Sequence, residues 1–168
     1  MRSYKRLSTD RIMQEYRAVI AMLAGAAGGG MAIGLMEAFS TRAAIPLVAI
    51  PFATSIVLVM GSPEVEAAQP RALIGGHIVS TIVGLVVPNI AGPEPWAAAL
   101  AVGLAIAAMQ FTRTFHPPAG IDPLLVVVNN MPWGFLLVPV AAGAVLLALF
   151  AFVWHILIRR YSWPIGWW

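Results

Sequence analysis

Five titratable side chains in this 168-residue chain stand where chemistry could be done: Arg71, His77, Arg113, His116 and Asp122. They gather around two stretches of one design, Gln69-Pro70-Arg71-Ala72 and His116-Pro117-Pro118-Ala119-Gly120. In each, proline occupies a place suited to the first turn of a helix, where its missing N–H has no intrahelical partner anyway. Helix amino termini collect unpaired N–H groups and about half a positive charge, which suits them to anions. The set therefore reads as an anion-binding constellation. Gln69, Arg71, His77, Arg113, His116 and Asp122 are the candidate contacts, and Pro70, Pro117, Pro118, Ala119 and Gly120 form the helix-start framework.

Every member also has a plainer role. His116 either caps its helix by bonding neighbouring backbone or touches the bound group. His77 is either a satisfied interhelical partner or a pathway residue, because ionisable groups inside a membrane are costly and rarely idle. Arg71 and Arg113 serve equally as anchors at a membrane face. Asp122 pairs with Arg113 or His77, or else relays protons. Glu64 and Glu66 read as a solvated loop, and His155 as an interfacial side chain near the end of the last helix.

Other chemistries find little support. Without cysteine there is no disulfide framework, thiolate metal site or cysteine nucleophile. Three histidines and an aspartate could form a metal or acid–base centre, but they fall on separate segments. No H-E-x-x-H or G-x-x-x-x-G-K motif is present. Neither a catalytic residue, a metal site nor a cofactor is expected, and the chain is not read as an enzyme.

The elements that position these residues follow from composition. The sequence is 60% hydrophobic and only 10% charged, with a mean hydropathy of +0.85. Ten basic and seven acidic side chains cannot clothe a soluble domain of this size. Lipid removes that need. The isoelectric point near 10 does not point to nucleic acid, because the basic residues sit at the ends of apolar runs rather than along one stripe.

Charges mark the limits of the spans. Uncharged intervals of 19, 21, 22 and 18 residues separate Arg17 from Glu37, Arg42 from Glu64, Arg71 from Glu94, and Glu94 from Arg113. Each matches one crossing of about 20 residues. The stretch from Pro123 to Ile158 holds 36 residues, and its turn-forming Asn129-Asn130-Met131-Pro132 divides it. That leaves a short segment from Pro117 to Val128 and a full helix from Trp133 to about Ile158. The expected fold is all-α: a polytopic bundle of five or six membrane segments, including a short broken helix after His-Pro-Pro. Twelve helical residues reach only about 18 Å, so the broken helix must begin inside the membrane, buried in protein.

With six crossings and a cytoplasmic amino terminus, nine basic residues fall inside and only Arg42 outside. Both termini are therefore expected in the cytoplasm, in a bacterial inner membrane. The apolar stretch from Ala18 to Met36 is too long for a signal peptide core and reads as a retained helix. The domain division expected is a cytoplasmic segment at 1–17, one transmembrane domain at 18–160 and an aromatic tail at 161–168. Gly25, Gly28, Gly29, Gly30, Gly75, Gly76 and the alanines from Ala97 to Ala108 would let helices approach closely, and copies of the chain are expected to associate. Trp96, Trp133, Trp163, Trp167 and Trp168 read as interface anchors.

One resemblance covers most of the chain, from about Ile45 to Trp163. The run from Phe111 through Arg113 and His116-Pro117-Pro118 to Gly120, with Ser62-Pro63, Ala68-Gln69-Pro70-Arg71, Gly75-Gly76-His77 and Tyr161-Ser162-Trp163-Pro164, resembles the HPP family of integral membrane proteins. Members from plastids and cyanobacteria are associated with nitrite transport. The resemblance implies a permeation protein whose partners are a small inorganic anion, nitrite or similar, and membrane lipid. The chain departs from the commoner pattern at Ile121-Asp122-Pro123, where small or neutral residues are expected. Two other classes stay open: a structural or assembly subunit without transport, and a membrane-embedded enzyme.

Overall fold

A computed structural model describes residues 2–43, 50–92 and 94–166, with side chains described from Arg11 onward. Trp167 and Trp168, expected as interface anchors, and Ile45, where the resemblance begins, lie outside the described residues. Within them all regular structure is helical.

Helix α1, Arg2–Ala43, is a single run of 42 residues, about 63 Å long at 1.5 Å per residue. Neither Arg17 nor Glu37 interrupts it, so no structural break separates segment 1–17 from the domain at 18–160. A charge ends contact with hydrocarbon, but the backbone ladder continues equally well in water. The helix comes closest to the bundle where side chains vanish. A Cβ on Gly25 would lie 2.7 Å from the Met60 carbonyl oxygen, and one on Gly28 would lie 2.5 Å from Trp154 Nε1. That indole N–H donates to the Ala24 carbonyl at 3.1 Å. Gly30 meets nothing within 4 Å, so the glycine run is only partly a packing surface. Gly28→Leu is accordingly expected to cost about 1–3 kcal/mol by overpacking. Gly30→Leu should leave the thermal midpoint of the detergent-solubilised protein unchanged.

Helix α2, Ala53–Gly61, has only nine residues, about 14 Å of a core roughly 30 Å thick. A full helical crossing between Arg42 and Glu64 is therefore not what the described part shows; residues 44–49 lie outside it. The helix starts in mid-bundle, behind Phe52, whose ring occupies the space a Cβ on Gly143 would need.

Helices α3, Pro70–Ala91, and α4, Pro95–Phe111, fall where the charge intervals predict. Both open on proline behind an extended residue, Gln69 and Glu94. They run antiparallel. Arg71 donates to the Thr112 carbonyl at one end, and Val87 packs with Ala97, Ala98 and Ala101 at the other.

Residues 112–116 then fold back into the bundle. Gly75 and Gly76 make this possible, since a Cβ on Gly76 would lie 2.6 Å from His116 Cβ and 2.8 Å from the Thr114 carbonyl oxygen. A 3-10 turn, Pro117–Gly120, leads into helix α5, Ile121–Asn129, which Asn130 ends in a left-handed conformation. Its start lies in mid-bundle, as the short reach requires. It follows the second half of α3, where Gly84 leaves room for the Pro123 backbone.

After the turn at 130–133 the chain is π-helical over Leu136–Ala141, with Val138 non-helical before Pro139, and continues as helix α6, Ala142–Leu157. Its end returns to α2, where Arg159 donates to the Met60 carbonyl at 2.9 Å. The tail closes beneath, with the Ile165 N–H donating to Gln69 Oε1 at 2.9 Å. Two aromatic-end expectations are corrected here. Trp163 is 2% exposed and packs on His155, and His155 is itself fully buried, its Nε2 at 3.0 Å from the Val59 carbonyl. The tail folding under α6 buries both. Trp96 and Trp133 are more than half exposed, as anchors should be.

By length and composition, Arg11–Arg42, Pro70–Ala91 and Leu136–Leu157 can cross a membrane, and α4 is a shorter apolar helix. Threaded among them, α2 and α5 are half-length helices that both begin in the middle of the bundle.

Candidate functional site

The starts of α2 and α5 meet over α3. Ser55, in the first turn of α2, places its hydroxyl between two imidazoles, 2.9 Å from His77 Nε2 and 2.8 Å from His116 Nε2. A hydroxyl has one proton to donate, so it accepts from one ring and donates to the other. His77 continues through Nδ1 to Asp122 Oδ2 at 2.8 Å, and the Thr81 hydroxyl donates to the same oxygen at 3.2 Å. His116 donates from Nδ1 to the Ala67 carbonyl at 2.6 Å. Below this run, Ser80 donates to the Ala119 carbonyl at 2.7 Å and ties the 3-10 turn to α3.

Local sequence explains the placement. Ser55, His77 and Thr81 lie on the inward faces of their helices, His77 and Thr81 one turn apart on α3. Gly76 admits the returning strap that brings in His116, and Gly84 admits the Pro123 backbone beside Asp122. Asp122 sits in the first turn of α5, where the helix end favours a negative charge. The whole set is dry: Ser55, His77, Ser80, Thr81, His116 and Asp122 are all 0% exposed. Phe52 covers one side, its ring centroid 4.7 Å from that of His77. Only Asp122 Oδ1 is left without a partner among these side chains.

Of the residues singled out from sequence, the structure joins His77, His116 and Asp122 directly. Asp122 pairs with His77, one of the two partners expected. Gln69 and Arg71 sit one loop away, at the bundle end. Gln69 donates to the Pro63 and Val65 carbonyls and accepts from Ile165, so its amide is a staple between loop and tail. Arg71 is half-buried and bonded to Thr112, while Arg113 is exposed with a left-handed φ of 55°. No single polar cavity holds all five titratable groups. Arginine carries enough charge to stay at the wet end, whereas histidine and aspartate can share protons in the dry centre. Pro70 begins α3 at that end, and Pro117, Pro118, Ala119 and Gly120 form the turn deeper in. The two Pro-led stretches are nonetheless neighbours through the His116–Ala67 bond.

Ser55 and Thr81 escape a search based on charge. The available signal is a hydroxyl in an apolar run, three residues after Phe52 in one case and one turn after His77 in the other.

Helices of full and half length around a buried polar centre define a polytopic membrane bundle, not a soluble domain. The HPP transmembrane-region model matches residues 13–164, and the chain belongs to that family. It is 42% identical over 127 residues to a transmembrane protein of Dictyostelium discoideum, a match covering 70% of this chain and 40% of the relative. A second transmembrane protein of that organism is 40% identical over 126 residues, covering 70% and 44%. The chain thus spans less than half the length of these curated relatives. No solved structure matches it.

Proposed function

We propose that the chain is a membrane transport protein for a small monovalent anion, with nitrite the first cargo to test. The observation that carries this reading is the meeting of two half-length helices, α2 and α5, against buried Ser55, His77, His116 and Asp122. Broken helices whose amino termini converge at mid-membrane are how many transporters build a site without charged clutter. The basic end supports it: Arg71 and Arg113 stand where an anion would approach His116, and in this reading that end faces the cytoplasm of a bacterial cell. Transport rather than catalysis is proposed, with copies of the chain associating through the sparsely buried α1.

Flux into liposomes with nitrite, nitrate, formate and chloride tests it, with empty liposomes subtracted because the neutral acid of nitrite leaks through lipid. Selective flux is expected. Arg71→Gln should reduce it about tenfold, equivalent to about 1.4 kcal/mol, and exposed Arg113→Gln by less. Absence of selective flux would leave a structural subunit as the reading.

A further inference from the structure

The run from Ala67 to Asp122 poses a problem of proton counting. It contains four contacts: Ala67 O to His116 Nδ1, His116 Nε2 to Ser55 Oγ, Ser55 Oγ to His77 Nε2, and His77 Nδ1 to Asp122 Oδ2. Each needs one proton between its two heavy atoms, and the carbonyl at one end can supply none. An ionised Asp122 with two neutral imidazoles and one serine brings three protons to four contacts. Two lone pairs would then face each other at under 3 Å in a dry centre, an arrangement that low-dielectric surroundings penalise. The Thr81 proton is already used in its own bond to Oδ2.

We propose that His116, Ser55, His77 and Asp122 form a proton relay that holds one proton beyond that set, making transport by this chain proton-coupled. The proposal rests on the transport reading for its cargo, but the relay itself rests on geometry alone.

The extra proton has two end placements. In one, Asp122 is a neutral acid that donates from Oδ2 to His77 Nδ1, His77 Nε2–H donates to Ser55, and Ser55 donates to His116 Nε2. In the other, His116 is an imidazolium that donates from Nε2 to Ser55, Ser55 donates to His77 Nε2, and His77 Nδ1–H donates to the Asp122 carboxylate. Passing between them moves one proton across each of three contacts, with no side chain displaced and none gained or lost. In both placements His116 Nδ1–H stays on the Ala67 carbonyl. The run carries no net charge in either state, so it can reside in the membrane interior. In this proposal the proton enters and leaves at the Asp122 carboxyl group, whose Oδ1 is buried without a hydrogen-bond partner.

Among the described residues no other titratable group intrudes. Helix α2 contributes only Ser55, α3 contributes His77 beside the hydroxyls of Ser80 and Thr81, the returning strap contributes His116, and α5 contributes Asp122. His155 of α6 is bonded to Val59, one turn along α2 from Ser55. Gln69 and Arg71 are bonded at the bundle end, and Glu64 and Glu66 are exposed.

Two measurements on the full chain decide the matter. In proteoliposomes containing a pH-sensitive dye, an inward gradient of nitrate, which is permanently ionised, should carry protons inward one for one. Asp122→Asn should bring that proton movement to background. Nitrate flux without protons in the parent, or proton movement surviving in Asp122→Asn, would overturn the proposal. In detergent, infrared and ¹⁵N-histidine spectra should show one carboxylic acid or one imidazolium at neutral pH. That proton should be absent from Asp122→Asn, whose amide N–H fills the fourth contact. A carboxylate with neutral His77 and His116 would overturn the relay. If neither nitrate nor any of the other three anions moves, the transport reading falls and the spectra alone judge the relay.

Discussion

His77→Leu is expected to lower the stability of the detergent-solubilised protein by about 1–3 kcal/mol, the range for leaving buried hydrogen-bonding groups without a partner. The leucine keeps most of the volume, so the loss comes from what it strands. Ser55 loses one imidazole, and Asp122 retains only the Thr81 hydroxyl, in a place with no exposure. The diagnostic comparison is a second variant. His77→Leu with Asp122→Ala removes the stranded carboxyl group as well, and replacing both partners by apolar groups is often nearly neutral. The double variant should therefore melt higher than the single one, by about 1 kcal/mol in stability. Equal midpoints would show that the pair is not the element holding α3 to α5.

Gly84→Val should be similarly severe for a different reason. A Cβ there would lie 2.6 Å from Pro123 Cα, a main-chain atom that cannot swing aside, and 3.3 Å from Pro123 Cβ and Val126 Cβ. The only relief is to push α5 off α3, which lifts Asp122 away from His77. Overpacking of this kind costs about 1–3 kcal/mol, and anion flux should fall at least about tenfold beyond any loss of folded protein. Gly103→Val in α4 is the control, because a Cβ there meets nothing within 4 Å. Parental flux and midpoint in Gly84→Val would mean that α5 is not held where its contacts put it.

The sequence discloses some of these features and hides others for identifiable reasons. α3 and α4 are legible because their charge-free intervals match a crossing, and α3 also because it opens on Pro70. The inward start of α5 follows from reach alone, since Pro117 to Val128 cannot span the core. α2 is not legible by the same rule, because an interval of 21 uncharged residues says how far the chain stays in lipid, not how much of it is helical. At the site, His77, His116 and Asp122 announce themselves as ionisable groups in apolar surroundings. Ser55 and Thr81 do not, because a hydroxyl costs little in a helix that can satisfy it locally. Arg71 and Arg113 attract notice through position and charge, yet that same charge keeps them at the bundle end. His155 looks interfacial because it stands near the end of the last helix, and Trp163 because it lies just beyond it; only the tail doubling back beneath α6 buries them.

The burial of His77, His116 and His155 has an experimental use. The chain has three histidines and none has any exposed surface, so an imidazole-modifying reagent finds no target on the closed protein. Each ring lies at a different seam: His77 between α2, α3 and α5, His116 between the returning strap and the loop before α3, and His155 between α6 and α2. The rate at which each is modified then measures how often its seam parts. The native sequence carries three internal clocks for the motions that the proposed transport would require, without an engineered label.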